Sequence, residues 1–483
     1  MLCSCTLSMF RHLHQSHRCW LLIVLCSLYS VTSSPVKISS DDDILPPDPV
    51  CEVRYFDHLL NSGTFLHVTD IHSDPEYLPN SDPKSQCHRK SPRAQDNVAG
   101  EYGTLGSRCD SPIKLTDQAF KFMKQAFHDV DFVIYTGDSA RHDRDPERSR
   151  KTSDVMKDHS RVLSYFSESF DLNHTLVVPT IGNNDVLKHN IIAEGVDEKL
   201  YKKLLDLWAG YKGLEILVPG QAQTSFLKGG YWIQSLPRVP NLKIINLNSM
   251  FFYIANKDQT GCDDRQSPGS VQLDWYEQAL KDIAKNTQKA YVMGHIPPKD
   301  EHGREILLDK CYRRFVDITG KHAYVISGIF WGHTNGKETF QNNTHLLVDT
   351  LSFISKTHDI KPTYSFTSLA NRKDATMPKG EIIAIMTTGP SILPFNHPAI
   401  RSYRYDPSSS DLLGYTQYYA NLTDANHGLS KGLVFKEEYN TWKDYRLPAL
   451  TLKYWKNFFA RLVRDKALWK RYIYHKNVGI ISH

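Results

Sequence analysis

The chain has 483 residues, of which 40% are hydrophobic and 23% charged, and it carries a formal net charge of +5. This composition is that of a globular protein rather than a disordered one, and the length fits one large α/β domain with additions, or two domains. The charge is too small to indicate an anionic partner by itself, although the 22 histidines would add positive charge in an acidic compartment.

The N-terminal segment has the pattern of a secretory targeting signal. Arg11 and Arg18 precede a short apolar run at residues 19–31, and Ser34 and Pro35 follow it without a clear cleavage site. An uncleaved type II anchor is therefore the better interpretation, although the run is short for a membrane span. We predict a cytoplasmic tail at residues 1–18, a signal-anchor at 19–34 and a lumenal linker at 35–62.

Features downstream of this segment agree with a lumenal body. Asn173, Asn342 and Asn421 stand in glycosylation tripeptides, which also occur by chance. Five cysteines follow the apolar run, and disulfides are typical of oxidising compartments. By sequence proximity we pair Cys87 with Cys109 and Cys262 with Cys311, which leaves Cys51 over, although sequence alone does not determine connectivity.

Strand-like and helix-like patterns alternate along the middle of the chain, as is typical of an α/β protein. A long loop at residues 73–114, rich in Pro, Ser and Asp, interrupts the series, and long ordered loops tend to be functional. We predict strands with their following loops at residues 65–72, 132–138, 176–185, 290–295 and 330–335, and further strands at 242–248 and 323–328. We predict helices at residues 116–127, 151–171, 197–209 and 272–283.

Five of these strands end in residue types that bind metal ions. Because the carboxyl ends of parallel strands share one edge of a sheet, these side chains are expected to converge. A single histidine is more often structural, but five such strand ends favour a two-metal site for Mn, Mg, Zn, Co or Fe. A glycine precedes most of them and allows close backbone packing. The predicted metal ligands are Asp70, His72, Asp138, Asn183, His295, His333 and Asn335.

The order of these motifs, D-x-H, G-D, G-N-x-[DE], G-H and G-H-x-[HN], resembles the calcineurin-like metallophosphoesterase superfamily over roughly residues 63–340. Further segments resemble the fungal vacuolar endopolyphosphatases and their acid-sphingomyelinase-like relatives. These segments lie at residues 67–72, 87–89, 109–113, 136–143, 182–185 and 389–401. The resemblance implies a four-layer αββα sandwich of two mixed sheets flanked by helices, with a catalytic domain at residues 63–425 and a C-terminal extension at 426–483.

The resemblance also implies roles for the matched residues. Asp138 would bridge two metal ions, with Asp70, His72 and Asn335 on one ion and Asn183, His295 and His333 on the other. Asn184, His142 and Asp185 are the predicted catalytic residues. His88, Arg89 and Arg141 are candidates for binding the phosphates next to the cut, although they could equally be solvated loop charges.

Asn184 departs from most of the superfamily, which has histidine at the position that protonates the leaving oxygen. The endopolyphosphatase branch shares this change. An alcohol leaving group needs that proton, whereas a phosphate leaving group, with a second pKa of about 6, can depart without it. The resemblance therefore implies two-metal hydrolysis of internal phosphoanhydride bonds in inorganic polyphosphate, by an enzyme anchored in the vacuole membrane with its catalytic domain in the lumen.

Two other functions are kept open. One is a lumenal acid-sphingomyelinase-like phosphodiesterase, and the other is a non-catalytic phosphate-binding module.

Residues 442–476 contain ten Lys or Arg and two Asp, interleaved with aromatic residues at helical spacing. This stretch is either an amphipathic helix packed on the body or a dock for polyphosphate or an acidic membrane, and a lumenal address argues against nucleic acid. The sequence indicates no oligomeric state.

Overall fold

The fold is taken from a computed structural model that describes residues 61–193, 198–210, 221–300, 304–334, 351–356, 360–365 and 381–479. The predicted tail, the anchor and nearly all of the linker lie outside these ranges, as do Cys51, Asn335 and Asn342. Within the described ranges, no helix combines the length and the apolar character needed to cross a bilayer.

Strands and helices alternate through the first half of the described chain, and strands dominate after it. The strands are β1 Gly63–Val68, β2 Ser73–Asp74, β3 Ser111–Pro112, β4 Phe132–Tyr135, β5 Leu176–Pro179, β6 Trp232–Ser235, β7 Leu242–Asn246, β8 Lys289–Met293, β9 Ile326–Trp331, β10 Leu351–Lys356, β11 Ile360–Ser365, β12 Glu381–Thr388, β13 Ala399–Tyr405, β14 Leu412–Ala420 and β15 Phe435–Asn440. The helices are α1 Ile113–Ala126, α2 Thr152–Ser169, α3 Glu198–Gly210, α4 Gln221–Gly229, α5 Pro268–Lys285, α6 Asp309–Lys321, α7 Leu422–Asn426, α8 Thr441–Tyr445, α9 Leu452–Arg464 and α10 Lys466–Lys476.

Among the described residues, the strands form two large mixed sheets. The first has the order β15-β14-β13-β1-β4-β5 and the second β11-β10-β12-β9-β8-β7-β6. In the first sheet, β1 pairs in parallel with β4 and antiparallel with β13, so that Phe65 lies opposite Tyr403. In the second, β7, β8 and β9 are parallel. The buried, continuously apolar strands at the centre explain why both faces of each sheet must be covered.

The two sheets pack face to face. Phe65 of β1 stacks on Phe132 with ring centroids 4.7 Å apart and contacts Tyr291 of the second sheet at 5.6 Å. Asn246 of the second sheet donates a 2.6 Å hydrogen bond to the carbonyl of Pro179 in the first. On the outside, α1 and α2 cover the first sheet, and α5 and α6 cover the second. The predicted αββα sandwich is confirmed.

Most predicted elements lie where the periodicity places them, and the two predicted disulfides, Cys87–Cys109 and Cys262–Cys311, are both present. One difference is that the strands predicted at residues 323–328 and 330–335 are a single strand, Ile326–Trp331. Gly328 lies inside this strand without breaking it. A Cβ at this position would lie 2.7 Å from the ring of Phe330, so the glycine makes room for that ring.

The C-terminal part belongs to the same folded unit as the predicted catalytic domain. Strand β15 pairs with β14 at the edge of the first sheet, and Trp455, Phe458 and Phe459 of α9 are buried in the main hydrophobic core. Of the two interpretations of this stretch, the amphipathic helix packed on the body is the one that the structure shows: the aromatic side of the segment continues the core, and basic residues such as Arg464 and Lys470 lie on its exposed side.

We expect deletion of residues 426–483 to abolish cooperative folding. Truncating one buried Trp or Phe typically costs about 3–5 kcal/mol, and three such residues together approach the whole stability of a domain. Urea unfolding and size-exclusion chromatography would show a transition in the full chain and its loss in the deletion. As a control, Arg464→Ala and Lys470→Ala remove exposed charges of the same segment and should leave the transition unchanged; equal stability of the deletion would contradict the shared core.

Candidate metal and phosphate site

Six of the seven predicted metal ligands converge at the carboxyl ends of the strands. Sheet one contributes Asp70 and His72 after β1, Asp138 after β4 and Asn183 after β5. Sheet two contributes His295 after β8 and His333 after β9. The site therefore lies across the ends of both sheets, where α/β folds place their ligands. The seventh predicted ligand, Asn335, lies outside the described residues.

One half of this group surrounds the imidazole of His72. Its Nε2 lies 3.6 Å from Oδ1 of Asp70 and 3.2 Å from Oδ2 of Asp138. The same Oδ2 of Asp138 is 3.3 Å from Nε2 of His295. All four side chains are buried. Asp138 is thus the carboxylate shared between His72 on one side and His295 on the other, as expected for a bridging ligand.

The other half is organised around the amide oxygen of Asn183. Its Oδ1 lies 2.9 Å from Nε2 of His295 and 2.7 Å from Nδ1 of His333. Its amide nitrogen donates to Oδ1 of Asn190 at 2.8 Å and faces Nε2 of His189 at 3.2 Å. These contacts orient Asn183 so that its oxygen, which can bind a cation, points to the two imidazoles.

The hydrogen bonds of the histidines suit metal binding. Nδ1 of His72 faces the carbonyl of Ala140 at 3.0 Å, and Nδ1 of His295 faces that of Thr136 at 2.7 Å. Since a carbonyl only accepts, each Nδ1 donates, and in a neutral ring Nε2 then carries a lone pair. That lone pair faces carboxylate oxygens, and Nε2 of His72 is buried without a hydrogen-bond partner. Imidazole lone pairs that face carboxylate oxygens in this way are suited to holding a divalent cation between them.

The pKa values of His72 and His295 show how strongly the cluster favours positive charge, here carried by protons instead of metal cations. Burial alone would lower the pKa of His72, but the negative charge of Asp138, 3.2 Å from Nε2, outweighs it and raises the pKa to about 10. Burial is likewise outweighed at His295, where Asp138 raises the pKa to about 9. The cluster therefore attracts positive charge strongly.

The backbone around the ligands is strained. Asp70, His72, Asp138 and His333 have φ values of 52°, 44°, 64° and 71°, in the left-handed region that residues with a Cβ rarely adopt. Each such residue costs on the order of 1 kcal/mol, and such residues cluster at functional sites. A Cβ at Gly182 would lie 2.1 Å from Oδ1 of Asp138, so this glycine is required for the close approach of the two loops.

Two predicted catalytic residues, Asn184 and Asp185, hold Asp138 in place. The backbone N–H and the Nδ2 of Asn184 each donate a 2.8 Å hydrogen bond to the Asp138 carboxylate. Asp185 accepts from the backbone N–H groups of Asp138, Ser139 and Gly182 at 2.7–2.9 Å. Asn184 also lines the cavity beside the ligands, whereas Asp185 does not, so the structure gives Asp185 a positioning role rather than contact with substrate.

His142, the third predicted catalytic residue, lies at the cavity wall. Its ring stacks on that of His72 with centroids 4.1 Å apart. Its Nδ1 and its backbone N–H are 2.7 Å and 2.6 Å from the carboxylate of Asp110. Burial, with the nearby charge of Arg144, holds the pKa of His142 well below its ordinary value. Asp110 therefore orients the ring, a role that was not predicted from the sequence.

The predicted phosphate-binding residues do not line the cavity. His88 is held between Asp74 at 2.9 Å and Asp145 at 2.7 Å. Arg89 donates to both oxygens of Asp145, at 2.6 Å and 3.2 Å, and the buried Arg141 donates to backbone carbonyls. Burial alone would raise the pKa of Asp145, but the hydrogen bonds from Arg89 and His88 lower it to about 2. We correct the expectation: these side chains fix the loop conformation.

We expect Arg89→Ala to reduce stability rather than substrate affinity. The variant leaves the buried carboxylate of Asp145 with fewer donors, which costs about 1 kcal/mol after allowing for the partial exposure of Arg89. Urea unfolding should show a lower midpoint, while KM for the polyphosphate substrate that the sequence resemblance implies stays within about twofold. A KM raised tenfold with an unchanged unfolding midpoint would restore Arg89 as a substrate-binding residue. Arg93→Ala, on the exposed side of the same loop, is the control.

The cavity beside the ligands has a volume of about 380 Å³. Asp138, Asn183 and His333 lie in its wall, together with the cations Arg108, Arg144 and Lys257. None of these three cations was predicted from the sequence. For two of them the position along the chain carried a signal, because Arg108 precedes Cys109 and Arg144 lies two residues after His142, both in loops that support the predicted ligands.

Comparisons with known proteins agree with this geometry. The protein family described as Calcineurin-like phosphoesterase matches residues 63–336. The chain is 27% identical over 469 residues to an endopolyphosphatase of Cryptococcus neoformans, covering 80% of this chain and 66% of that protein. It is 34% identical over 284 residues to an endopolyphosphatase of Neurospora crassa, covering 56% of this chain and 37% of that one.

A protein with a different substrate in its name is also similar. The chain is 29% identical over 394 residues to the Cyclic GMP-AMP phosphodiesterase SMPDL3A of Bos taurus, covering 81% of this chain and 78% of that protein. The chain spans between about two fifths and two thirds of the length of the endopolyphosphatases it matches.

Proposed function

Because the chain belongs to the calcineurin-like phosphoesterase family, we propose that it is a metal-dependent endopolyphosphatase that hydrolyses internal phosphoanhydride bonds of inorganic polyphosphate. The similarity to several fungal endopolyphosphatases supports this substrate. The two-metal ligand geometry supports the reaction class, since phosphoryl transfer depends mainly on positioning and on neutralising charge.

The observation that carries the proposal is the state of Asn184. Its amide nitrogen already donates to Oδ2 of Asp138, and its Oδ1 lies buried without a hydrogen-bond partner. An amide has no proton to give to a leaving group. A phosphate leaving from an anhydride does not need that proton, whereas an alkoxide does. Asn184 therefore favours the anhydride.

The residues would hold two divalent cations in the arrangement described above. Asp70, His72 and Asp138 fit one ion, and Asp138, Asn183, His295 and His333 fit the other, with Asn335 predicted on the first. When bound, such ions polarise phosphoryl oxygens and lower the pKa of water. The chain itself orients the ligands: Ala140 and Thr136 fix the histidine tautomers, and Asn184 and Asp185 fix the Asp138 loop.

A direct test is a gel of long-chain polyphosphate incubated with the purified protein and Mn, Mg, Zn, Co or Fe. We expect shortening to intermediate lengths, which indicates internal cutting, and its loss on removal of metal by a chelator. Release of single phosphates without intermediates would show cutting from the chain end. No shortening with any metal, in a protein that still hydrolyses a chromogenic phosphodiester, would contradict the proposed substrate.

A second candidate function is hydrolysis of a phosphodiester such as a cyclic dinucleotide or sphingomyelin. The similarity to the bovine phosphodiesterase favours it, and the lack of a proton donor at Asn184 argues against it. A substrate panel at matched metal and pH separates the two functions. A third possibility, a phosphate-binding module without activity, would bind metal in stoichiometric amounts and turn over none of the substrates. The near-complete ligand set argues against that possibility.

We further propose that the protein is located at the vacuole membrane as a single-pass type II protein with a lumenal catalytic domain. The N-terminal apolar run, the glycosylation tripeptides and the two disulfides support this proposal, since disulfides persist in oxidising compartments. Protease protection of isolated vacuoles tests it: a catalytic domain digested without detergent would contradict a lumenal location.

A further inference from the structure

The described residues of the cavity wall include more cations than carboxylates. Among them, the permanent cations are Arg108, Arg144 and Lys257, and the carboxylates are Asp138 and Asp300. Asp138 belongs to the metal cluster, and Asp300 is paired with Arg304 at 2.6 Å. Metal ions at the cluster would add further positive charge. The cavity is therefore suited to a ligand that carries several negative charges.

Two of these cations lie on the His72 side of the cluster. Nη1 of Arg144 is 3.4 Å from the backbone carbonyl of Arg108, which joins the two loops. Residues close to these two arginines in sequence connect their loops to the cluster. The carboxylate of Asp110 binds His142, and the ring of His142 stacks on the ring of His72. The Cys87–Cys109 disulfide fixes the chain directly beside Arg108.

The third cation lies on the His333 side. Lys257 is exposed, and its Nζ donates to the carbonyl of Ile254 at 2.8 Å, a contact that leaves its charge unneutralised. The same loop carries Tyr253, whose hydroxyl is 3.2 Å from Nε2 of His333. Asn256 anchors the loop by donating to the carbonyls of Ile192 and Met250.

We infer that Arg108 with Arg144, and Lys257 opposite, form two phosphate-binding subsites on either side of the metal cluster. A linear chain with a charged phosphate at every position can occupy both subsites while one of its bonds lies at the cluster. A phosphodiester with one phosphate, or a phospholipid with a cationic head group, can offer negative charge to one of them at most. The inference rests on the proposed function and names the residues that would select the substrate.

The test compares polyphosphate with bis(p-nitrophenyl) phosphate, a small chromogenic diester that carries one phosphate. The variants are Arg108→Gln, Arg144→Gln and Lys257→Gln, with Lys121→Gln on the exposed face of α1 as the control. For each cavity variant we expect the ratio of kcat/KM for long polyphosphate to that for the diester to fall about tenfold, as the loss of one charge-assisted hydrogen bond predicts. Added salt should weaken the wild-type preference in the same direction. The control should change neither substrate.

A second measurement separates this inference from the proposed function. Tripolyphosphate should inhibit diester hydrolysis in the wild type, and the cavity variants should raise its Ki about tenfold. If the wild type binds tripolyphosphate without shortening long chains, the proposed function fails while the Ki still tests the subsites. A Ki and a ratio equal to wild type in Lys257→Gln and in both arginine variants would overturn the inference. Lys257 is exposed, so Lys257→Glu decides the question if the arginine variants do not fold.

Discussion

Asp138→Asn is expected to lower kcat/KM for polyphosphate by at least about 10³-fold in a protein that remains folded. Oδ2 of Asp138 is the oxygen shared by His72 and His295, so the substitution removes the negative charge that would join two cations. Asparagine has the same shape and can still accept from the backbone N–H of Asn184. Steady-state kinetics with saturating Mn, metal content by mass spectrometry and urea unfolding together measure the effect.

The matched control is Asp129→Asn. Asp129 lies just before the other end of β4, is largely exposed and pairs weakly with Arg238 at 4.0 Å. The same loss of one carboxylate there should leave activity, metal content and stability unchanged. Wild-type activity of Asp138→Asn would show that this carboxylate is not shared between two ions, and the two-metal interpretation would then be wrong.

Asn184→His is expected to raise the ratio of activity on an alkyl phosphodiester to activity on polyphosphate. A positioned general acid contributes roughly 10²- to 10⁴-fold to a reaction that needs one, although a grafted acid without supporting contacts gives less. Polyphosphate turnover should stay unchanged or fall, because the substitution removes the 2.8 Å hydrogen bond from Nδ2 of Asn184 to Asp138. The measurement is kcat/KM for both substrates at matched metal and pH.

Asn184→Ala separates the loss of the hydrogen bond to Asp138 from the gain of a general acid. It also removes the hydrogen bond to Asp138 but adds no acid, so both activities should fall without a rise in the ratio. If the ratio stays constant in Asn184→His while metal content is normal, residue 184 is not next to the leaving group. The assignment of the substrate would then depend on family similarity.

The sequence was sufficient to predict which side chains converge, because their positions follow from one rule of sheet geometry. Asp70, Asp138, Asn183 and His295 each lie within four residues of the end of an apolar strand, and parallel strands bring their carboxyl ends to one edge. Their identity and their convergence could therefore be predicted together. The left-handed backbone at Asp70 and Asp138 could not, because aspartate adopts that conformation only where the surrounding structure imposes it.

The residues predicted to bind phosphate show why proximity to a motif is a weaker guide than strand position. Arg89 and Arg141 lie in motif-rich loops, but a sequence does not reveal that Asp145 approaches Arg89 from 56 positions away. Arg108 and Arg144, in the same two loops, line the cavity instead. Which cation of a loop faces inward depends on long-range packing, and a local pattern of charges does not encode it.

The pairing of β1 has a consequence for the order in which the site matures during translation. Asp70 and His72 are among the first described residues to be synthesised, yet β1 needs β13 as a neighbour, with Phe65 opposite Tyr403. The backbone carbonyls of Thr69 and Asp70 also accept from the N–H groups of Ile392 and Leu393. Contacts this distant in sequence form late. We therefore expect a nascent chain to assemble the Asp70 and His72 side of the site only after residues near 405 have left the ribosome, so that shorter chains lack the strand that supports these two side chains.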